Sequence, residues 1–507
     1  MLAKVKSFAL SGLQGFLVDV EVDVTGGMPS FEIVGLPDTA VKESKERVRL
    51  AIKNSGKKCP TTKITVNLAP ADVKKQGAYL DLPIAVGIIK ASSDTVLNGV
   101  EDYIFIGELS LDGSLRGVQG ILPLIISAKS LGYNKFVIPF ENKTEASFID
   151  GVEIYAINSL SEVINFLASD TKEQPVKPIA YSIEKRNVNY SVDMSFVKGQ
   201  ALAKRAIEVA VAGGHNVLLE GPPGAGKTML AKCIPTIMPD MSFEEALETT
   251  KIHSVAGTLK GEDGIVYERP FMTPHHTASQ VSIIGGGQNA LPGIISLAHN
   301  GVLYLDEMPE YPRLVLESLR QPLEDRVITI TRAKASVEYP ASFMMVASMN
   351  PCPCGNYGSK NGECTCSASQ IQKYKSKISG PLMDRIDLQI SVDGVEYNDL
   401  VSETREESSF EVKRRINIAR NIQRERFILE DITCNAEMGE KHIKKYCKLS
   451  AECEDIIKSA FASLNLSARA RSRIIKVART IADIELSLDI KPSHVLEAVG
   501  YRSNVSL

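Results

Sequence analysis

Apolar and polar residues alternate in a strand-like pattern near the start of the chain. Segment 16–24 (FLVDVEVDV) alternates apolar with acidic side chains, and segment 63–70 is a second strand candidate. In segment 38–54 the apolar positions recur at helical spacing behind Asp38, a residue type that favours the N-cap. Residues 1–168 are therefore predicted to form an α/β or α+β domain.

The hydrophobic pattern changes twice further along the chain. Residues 169–195 are polar, include two prolines and show no clear period, which is typical of a linker. From 196 to 393 apolar strands alternate with helices, as in a parallel α/β sheet. Residues 394–507 are strongly charged and mostly of helical period. This order predicts an α/β protein whose core lies between an N-terminal α+β domain and a helical C-terminal domain.

Composition and charge narrow the class of protein. The chain has 507 residues, 44% of them apolar and 23% charged, an ordinary balance for a globular protein. The formal net charge is −3, so binding of nucleic acid would need a local basic surface. There is no run of 18 apolar residues, and the N-terminus lacks the apolar segment of a signal peptide. We therefore expect a cytoplasmic protein that does not bind membranes.

A phosphate-binding motif follows the first strand of the predicted core. Residues 221–228 lie between an apolar strand and a helix, which is the context of a P-loop. The glycines of the motif allow backbone N–H groups to face phosphate oxygens. Lys227 is expected to contact the β- and γ-phosphates of ATP, and the hydroxyl group of Thr228 to bind Mg²⁺. The predicted nucleotide-binding residues are Gly221, Pro222, Pro223, Gly224, Ala225, Gly226, Lys227 and Thr228.

Two later strands end in polar residues that suit the same site. An apolar run ends at Asp306 and Glu307. Asp306 suits the Mg²⁺ partner of Thr228, and Glu307 suits the base that orients the attacking water. Two acidic residues at the end of a strand are usually only solvent-exposed residues of a loop. The P-loop upstream is what favours a catalytic role for this pair. A third apolar strand ends at Asn350, whose amide can bind water or the γ-phosphate. Together these residues predict an ATPase.

At this point the sequence resembles a known family. The segments RPFMTPHHTAS, GVLYLDEMPE, LRQPLED, SMNPCPCG and GPLMDRIDL are similar to the magnesium-chelatase-like AAA+ ATPases, and more narrowly to the YifB family, which includes a competence protein. The resemblance covers essentially the whole chain. It implies a Lon-protease-like domain (1–168), a linker (169–195), an AAA+ core (196–393) and a helical lid (394–507). It also implies a homo-hexamer that acts as a branch-migration helicase on DNA in homologous recombination and natural transformation.

The resemblance assigns catalytic roles beyond the P-loop. It makes Asn350 sensor 1, Arg385 an arginine finger presented to a neighbouring subunit, and Arg469 sensor 2 on the lid. A guanidinium group supplied by a neighbour would stabilise charge on the transferring phosphoryl group. The alternative for Arg385 is an ion pair with Asp384 or Asp387. Three nearby arginines compete with Arg469 for the sensor 2 role: Arg471, Arg473 and Arg479.

The Lon-like resemblance raises a second hypothesis, an ATP-dependent peptidase. Lon-type enzymes use a Ser–Lys dyad, but Tyr79 stands here at the position of the serine and Leu122 at that of the lysine. Without a hydroxyl nucleophile and an amine to activate it, we expect no peptide hydrolysis. A chelatase motor and a protein-remodelling chaperone are further alternatives. The extra N-terminal domain argues against the chelatase, whereas only stimulation by the substrate separates a chaperone from a DNA motor.

Four of the nine cysteines cluster directly after Asn350, as two C-x-C pairs separated by nine residues. Four thiolates on one loop suit a tetrahedral, structural Zn²⁺ site. Free or redox-active thiols and a disulfide pair are the alternatives. A metal would fix the loop that leads from Asn350 toward Arg385. The four candidate ligands are Cys352, Cys354, Cys364 and Cys366.

Basic residues concentrate in two segments. Residues 324–340 are predicted to form a hairpin that carries Arg326, Arg332 and Lys334. In the resembling family this hairpin points toward the ring channel, so we expect these three residues to contact DNA phosphates. Segment 413–426 places six basic residues on one helix, for which a solvated face with interleaved glutamates is the simpler interpretation. Neither segment has base-reading chemistry, so sequence-independent binding of branched or single-stranded DNA is expected.

Overall fold

The N-terminal region is built on a mixed sheet. The computed structural model of the protein describes residues 2–92, 96–169, 174–182, 190–259, 264–287, 289–332, 335–358, 363–394, 406–464 and 467–503. The N-terminal strands are β1 (Leu2–Ser11), β2 (Gln14–Thr25), β3 (Ser30–Val34), β4 (Lys63–Ala69), β5 (Ile104–Phe105), β6 (Glu108–Leu109), β7 (Leu115–Arg116), β8 (Lys135–Pro139) and β9 (Glu153–Ile157). Seven of these strands form one sheet in the order β3-β4-β2-β1-β5-β8-β9.

Helices cover this sheet and bury its apolar positions. They are α1 (Thr39–Asn54), α2 (Asp81–Ser92), α3 (Ile121–Ser130), α4 (Lys143–Ala146) and α5 (Leu160–Ala168). The predicted N-cap is confirmed, because the carboxylate of Asp38 accepts the N–H of Val41 at 2.8 Å. Val48 and Ile52 on the same helix are fully buried. The apolar spacing in the sequence therefore marks the face of α1 that packs onto the sheet.

The central region is a parallel sheet flanked by helices. Its strands are β10 (Val217–Glu220), β11 (Phe271–Met272), β14 (Val302–Leu305), β17 (Met344–Met349) and β18 (Leu388–Ser391), in the order β11-β14-β17-β10-β18, and all neighbours run parallel. Two small hairpins complete it: β12 (Gly285–Gly286) with β13 (Leu291–Pro292), and β15 (Val327–Arg332) with β16 (Ala335–Pro340). The helices are α6 (Ala201–Gly213), α7 (Lys227–Ile237), α8 (Phe243–Ala256), α9 (Gln280–Ile284), α10 (Ile294–Leu297), α11 (Arg313–Ser318), α12 (Pro322–Asp325), α13 (Ala368–Lys375) and α14 (Gly380–Met383).

The polarity of this sheet positions the candidate site. Strands β10, β14 and β17 are fully buried, as expected for a parallel sheet covered on both faces. Because the three strands are parallel, their carboxyl ends meet at one edge. The P-loop, the Asp306–Glu307 pair and Asn350 directly follow these ends, so all three motifs lie on the same edge of the sheet.

The C-terminal region is helical and shares a hydrophobic core with the central sheet. Its helices are α15 (Ser409–Arg426), α16 (Glu440–Tyr446), α17 (Ala451–Leu464), α18 (Ala468–Ile484) and α19 (Pro492–Ser503). One apolar cluster joins α6 and α7 to α15 and α18, which fixes this helical lid against the core. Asp483, fully buried, accepts hydrogen bonds from Arg426 and Arg479 and connects two lid helices. No helix in the described part of the chain has the length and apolar character needed to cross a membrane.

Candidate functional site

The P-loop lies between β10 and α7, and two of its glycines have a conformation that other residues rarely adopt. Gly224 has a φ of +78° and Gly226 a φ of +84°. In this left-handed region a Cβ atom is unfavourable, so glycine is needed at both positions. The loop ends at the N-terminus of α7, where free backbone N–H groups and the helix dipole favour an anion. The geometry suits the phosphates of a nucleotide.

The ammonium group of Lys227 is held at the centre of this loop. Its Nζ donates to the carbonyl oxygens of Gly221 at 2.5 Å and Pro222 at 2.9 Å, and to Oδ1 of Asn350 at 3.1 Å. Burial lowers the pKa of Lys227, whereas nearby carboxylates, including that of Asp306, act in the opposite direction. The bond to Asn350 joins the P-loop to the end of β17, where the sensor 1 residue was expected.

Asp306 accepts hydrogen bonds from three hydroxyl groups. Oγ1 of Thr228 lies 3.3 Å from Oδ2 of Asp306, which brings together the two residues predicted to bind Mg²⁺. Tyr304 and Ser348 donate to the other oxygen, Oδ1, at 2.8 and 2.5 Å. The backbone N–H of Glu307 donates to Oγ of Ser348 at 3.1 Å. The hydroxyl and carboxylate oxygens of Thr228 and Asp306 are the hard ligands that Mg²⁺ prefers.

The sequence analysis did not identify the hydroxyl groups that bind Asp306 or the unusual backbone conformation of Glu307. Tyr304 and Ser348 each precede a predicted site residue by two positions, and side chains two apart on a strand share a face. That spacing was the available signal. Glu307 has a φ of +52°, a conformation that is costly for a residue with a side chain and that clusters at functional sites.

The cysteine cluster packs directly against the P-loop. The Sγ atoms of Cys352 and Cys354 are 3.3 Å apart, and each lies 3.7 Å from Sγ of Cys364. With Cys366, all four sulfur atoms lie within 4.8 Å of one another. Tetrahedral Zn²⁺ with Zn–S bonds of about 2.3 Å requires sulfur separations of roughly 3.8 Å, so the donor set fits zinc. Backbone N–H donors from Asn356 and Thr365 lower the pKa of Cys354 to about 6. The pKa of Cys364 and that of Cys366 are raised by burial and by neighbouring thiols, against the effect of a backbone hydrogen bond to each.

A close approach ties this cluster to the nucleotide site. A Cβ atom on Gly355 would lie 2.5 Å from Cδ of Pro223 in the P-loop. Gly355 also has a φ of +83°, so both the available space and the backbone conformation demand glycine. The loop of the cluster therefore forms one wall of the P-loop.

Arg385 lies at the opposite edge of the sheet, just before β18. Its side chain is 8% exposed, forms an ion pair with Glu324 and donates to the carbonyl oxygen of Pro381 at 2.8 Å. The pairs considered with Asp384 or Asp387 are not the ones formed. Arg469 of the lid lies 3.7 Å from the same Glu324. Burial, together with neighbouring guanidinium groups that include Arg469, lowers the pKa of Arg385.

These two arginines line a cavity of about 570 Å³ between the core and the lid. Arg473, one turn along α18 from Arg469, also lines it, and its Nη1 lies 3.7 Å from Asp387. The Nε of Arg385 is buried with no hydrogen-bond partner among the residues that the structure describes. A buried donor without an acceptor is costly, so this cavity is suited to an anion.

Sequence comparisons agree with this arrangement of motifs. The family described as "Subunit ChlI of Mg-chelatase" matches residues 20–142, "Magnesium chelatase, subunit ChlI" matches 193–400, and "Magnesium chelatase, subunit ChlI C-terminal" matches 406–502. Competence protein ComM of Haemophilus influenzae is 42% identical over 513 residues, which cover 100% of this chain and 98% of the relative. Protein YifB of Escherichia coli is 41% identical over 99% of this chain and 97% of its own.

The chain belongs to the YifB/ComM family. It is thus a magnesium-chelatase-like AAA+ protein. Two more distant relatives match only part of it. Lon protease 2 of Bacillus subtilis is 29% identical over 192 residues, or 34% of each chain. DNA replication licensing factor mcm-6 of Caenorhabditis briggsae is 21% identical over 329 residues, which cover 61% of this chain and 36% of the relative.

In this YifB/ComM protein the predicted DNA contacts do not all lie together. The hairpin is present as β15 and β16. Arg326, however, precedes it and forms an ion pair with Glu437 of the lid, in the cavity that also contains Arg385. Its side chain thus faces the lid rather than the tip of the hairpin. Lys334 and the side chain of Arg332 lie outside the described residues.

In this family member, basic residues of helix α15 form ion pairs with acidic residues of the same chain. Lys413 pairs with Asp240, and Arg415 with Glu208. Arg426 binds the buried Asp483. The first two pairs attach the lid to the core and the third joins two lid helices, whereas the simpler interpretation of the sequence was a solvated face with interleaved glutamates.

Proposed function

We propose that the protein is an ATP-driven motor on DNA, a homo-hexameric ring that catalyses branch migration in homologous recombination and natural transformation. The supporting observation is the placement of Arg385 relative to the P-loop. β18 and β10 are parallel neighbours, with Leu388 opposite Val217 and Ser391 opposite Glu220. Arg385 precedes one strand, and the P-loop follows the other. About 13 Å of strand separates them, too far for Arg385 to reach a phosphate bound in its own chain.

A neighbouring subunit would complete the site. Lys227 and the P-loop N–H groups would bind the phosphates, and Thr228 and Asp306 would hold Mg²⁺, which neutralises charge on the phosphoryl oxygens. Glu307 would orient the attacking water, with Asn350 beside the γ-phosphate. Arg385, with Arg469 close to it, would stabilise the developing charge in the neighbour's site. The Nε of Arg385 has no hydrogen-bond partner among the described residues and can donate to an anion.

Two observations favour DNA as the substrate. The sequence places Arg332 at the end of β15 and Lys334 just before β16, and cations in such positions can follow a phosphate backbone without reading bases. Among the relatives are one named a competence protein and one named a DNA replication licensing factor. The chelatase and chaperone alternatives share the ATPase machinery but would not need cations between these two strands of the sequence.

The DNA proposal predicts the behaviour of a hairpin variant. The double substitution Arg332→Ala and Lys334→Ala should leave basal ATP hydrolysis unchanged and abolish its stimulation by four-way-junction or forked DNA. It should also reduce the dependence of log affinity on log salt concentration by about two, since each phosphate contact contributes about one. The matched control is Lys441→Ala with Lys444→Ala, two exposed lysines of α16. A wild-type ATPase that ignores every DNA tested would favour protein remodelling instead.

We further propose that the cysteine cluster binds one structural Zn²⁺. All four ligand positions would be protein thiolates, so the metal would fix the loop beside Pro223 rather than take part in chemistry. Metal analysis of the purified protein should give one zinc per chain. Cys354→Ser with Cys364→Ser should lose the metal and raise the KM for ATP several-fold, because Gly355 packs on the P-loop.

The matched control for the zinc experiment is Cys59→Ser, which lies outside the cluster and should retain the metal. Thiol titration under denaturing conditions distinguishes the alternatives. A metal-free wild-type protein with nine reactive thiols would indicate free cysteines, and one with seven would indicate a disulfide pair.

A further inference from the structure

The segment that replaces the catalytic lysine of Lon-type enzymes forms a contact between two domains. It runs from Gln119 to Leu122, at the start of α3, and packs against the end of α8 in the AAA+ core. The N–H of Gly120 donates to the carbonyl oxygen of Ser254 at 3.1 Å. A Cβ atom on Gly257, which follows α8, would lie 2.3 Å from Nε2 of Gln119, and the φ of +68° at this position favours glycine.

A buried carboxyl group joins the two domains at this point. Glu145 of α4 is 9% exposed, and its Oε1 accepts hydrogen bonds from the hydroxyl group of Ser254 and from the N–H of Leu122 at 3.3 Å. Burial raises the pKa of Glu145 to about 7, whereas the hydrogen bonds from Ser254, Leu122 and Asn142 act in the opposite direction. One oxygen atom thus connects α3, α4 and α8. We call Glu145, Ser254 and the N–H of Leu122 the carboxyl joint.

Apolar contacts extend this interface beyond the carboxyl joint. Phe148, next to α4, is 4% exposed and belongs to one buried cluster with Met241, Ala246 and Ile265 of the core. The ring of Phe148 also packs edge-on against Tyr267, with centroids 6.3 Å apart. Burial of these apolar side chains stabilises the interface. The carboxyl joint fixes the relative positions of α3, α4 and α8, because a hydrogen bond weakens steeply when its partners move apart.

Other residues of α8 contact the segment that leads into the Asp306 strand. Nε2 of His253 lies 3.1 Å from the carbonyl oxygen of Leu297. Nε2 of His299 lies 3.1 Å from the carboxylate of Glu248. The side chain of Asn300 donates to the carbonyl oxygen of Glu245 at 3.3 Å. β14 begins two residues later, at Val302, and ends at the catalytic carboxylates.

We propose that the surface left by the lost peptidase centre is the contact through which the Lon-like domain responds to the ATP site, with α8 as the connecting helix and the carboxyl joint as the coupling element. A shift of Asp306 and Glu307 on nucleotide binding displaces the segment 294–300, and α8 moves with it. The joint passes that movement to α3 and α4. Glu145 and Ser254 are positioning residues, since neither touches nucleotide. The proposal rests on the proposed ATPase function.

Hydrogen–deuterium exchange of the full-length protein, with and without a non-hydrolysable ATP analogue and Mg²⁺, tests this coupling. In the wild type, the analogue should slow exchange at residues 221–232 and also change it at residues 119–125. In Ser254→Ala the first response should persist and the second should disappear. Loss of one buried hydrogen bond should also speed basal exchange at 119–125 by about fivefold.

Three variants sharpen the interpretation. Glu145→Ala should behave like Ser254→Ala, whereas Glu145→Gln retains an acceptor oxygen and should preserve the distant response. The matched control is Ser318→Ala, whose hydroxyl group donates, among the residues that the structure describes, to the carbonyl oxygen of Val315 in its own helix. A wild type that protects 221–232 and leaves 119–125 unchanged would overturn the coupling, as would an intact response in Ser254→Ala. A wild type without protection at 221–232 would instead overturn the ATPase assignment.

Discussion

Lys227→Ala is expected to reduce ATP hydrolysis by at least about a hundredfold while the protein remains folded. The ammonium group bonds to two carbonyl oxygens and to Asn350, none of which belongs to the hydrophobic core, so its removal leaves packing intact. In the nucleotide complex the same group would neutralise charge on the β- and γ-phosphates, and loss of one such preorganised charge typically costs 10²–10³ in rate. Steady-state phosphate release is the measurement.

The matched control is Lys232→Ala, an exposed lysine on the same helix that faces away from the loop. Circular dichroism and thermal unfolding should be unchanged in both variants. If Lys227→Ala turned over ATP at the wild-type rate, the P-loop assignment would be wrong, whatever the motif suggests.

Arg385→Ala should abolish hydrolysis without loss of nucleotide binding, and its activity should return on mixing with Lys227→Ala. Neither variant hydrolyses ATP alone, because one lacks the arginine and the other lacks the phosphate-binding lysine. In a mixed ring, an intact P-loop from an Arg385→Ala subunit meets an intact arginine from its neighbour. With random mixing at equal amounts, about a quarter of the sites are complete, and the rate should approach about a quarter of the wild type.

This mixing experiment distinguishes action between subunits from a structural role. Phosphate release is measured on the mixture, and binding of a fluorescent ATP analogue on each variant alone. Glu324, the ion-pair partner of Arg385, is about half exposed and remains solvated when the arginine is removed, so stability should change little. An inactive mixture of two folded, nucleotide-binding variants would refute the arginine finger.

Local motifs predicted which residues the fold brings together at one edge of the central sheet, because these residues follow strand ends directly. The phosphate-binding loop needs only a strand, glycines and a helix in sequence, and the parallel sheet then brings Asp306 and Asn350 to the same edge. The helix that begins at Asp38 and the hairpin in 324–340 were predicted for the same reason, since each depends on neighbours in the chain.

Contacts between segments that are distant in the chain could not be predicted from the sequence pattern. Nothing in the local sequence pairs Arg326 with Glu437, 111 residues away, and this contact turns a predicted DNA-binding side chain toward the lid. The close packing of Gly355 on Pro223 and the bond between Glu145 and Ser254 depend equally on how separate elements meet. Such contacts are set by tertiary packing, which hydrophobic period does not encode.

The contact between α3 and α8 also limits the access of a peptide to the N-terminal domain. Tyr79→Ser and Leu122→Lys would reinstate both side chains of a Ser–Lys dyad, yet no substrate peptide could approach them. Tyr79 is 9% exposed and Leu122 is 1% exposed, and the N–H of Gly120, two residues before Leu122, is bonded to Ser254 of α8. A protein that carried both residues would remain closed to peptides for as long as the two domains stay packed. Restoring the dyad would therefore not be sufficient for proteolysis, because the domain contact blocks access to it.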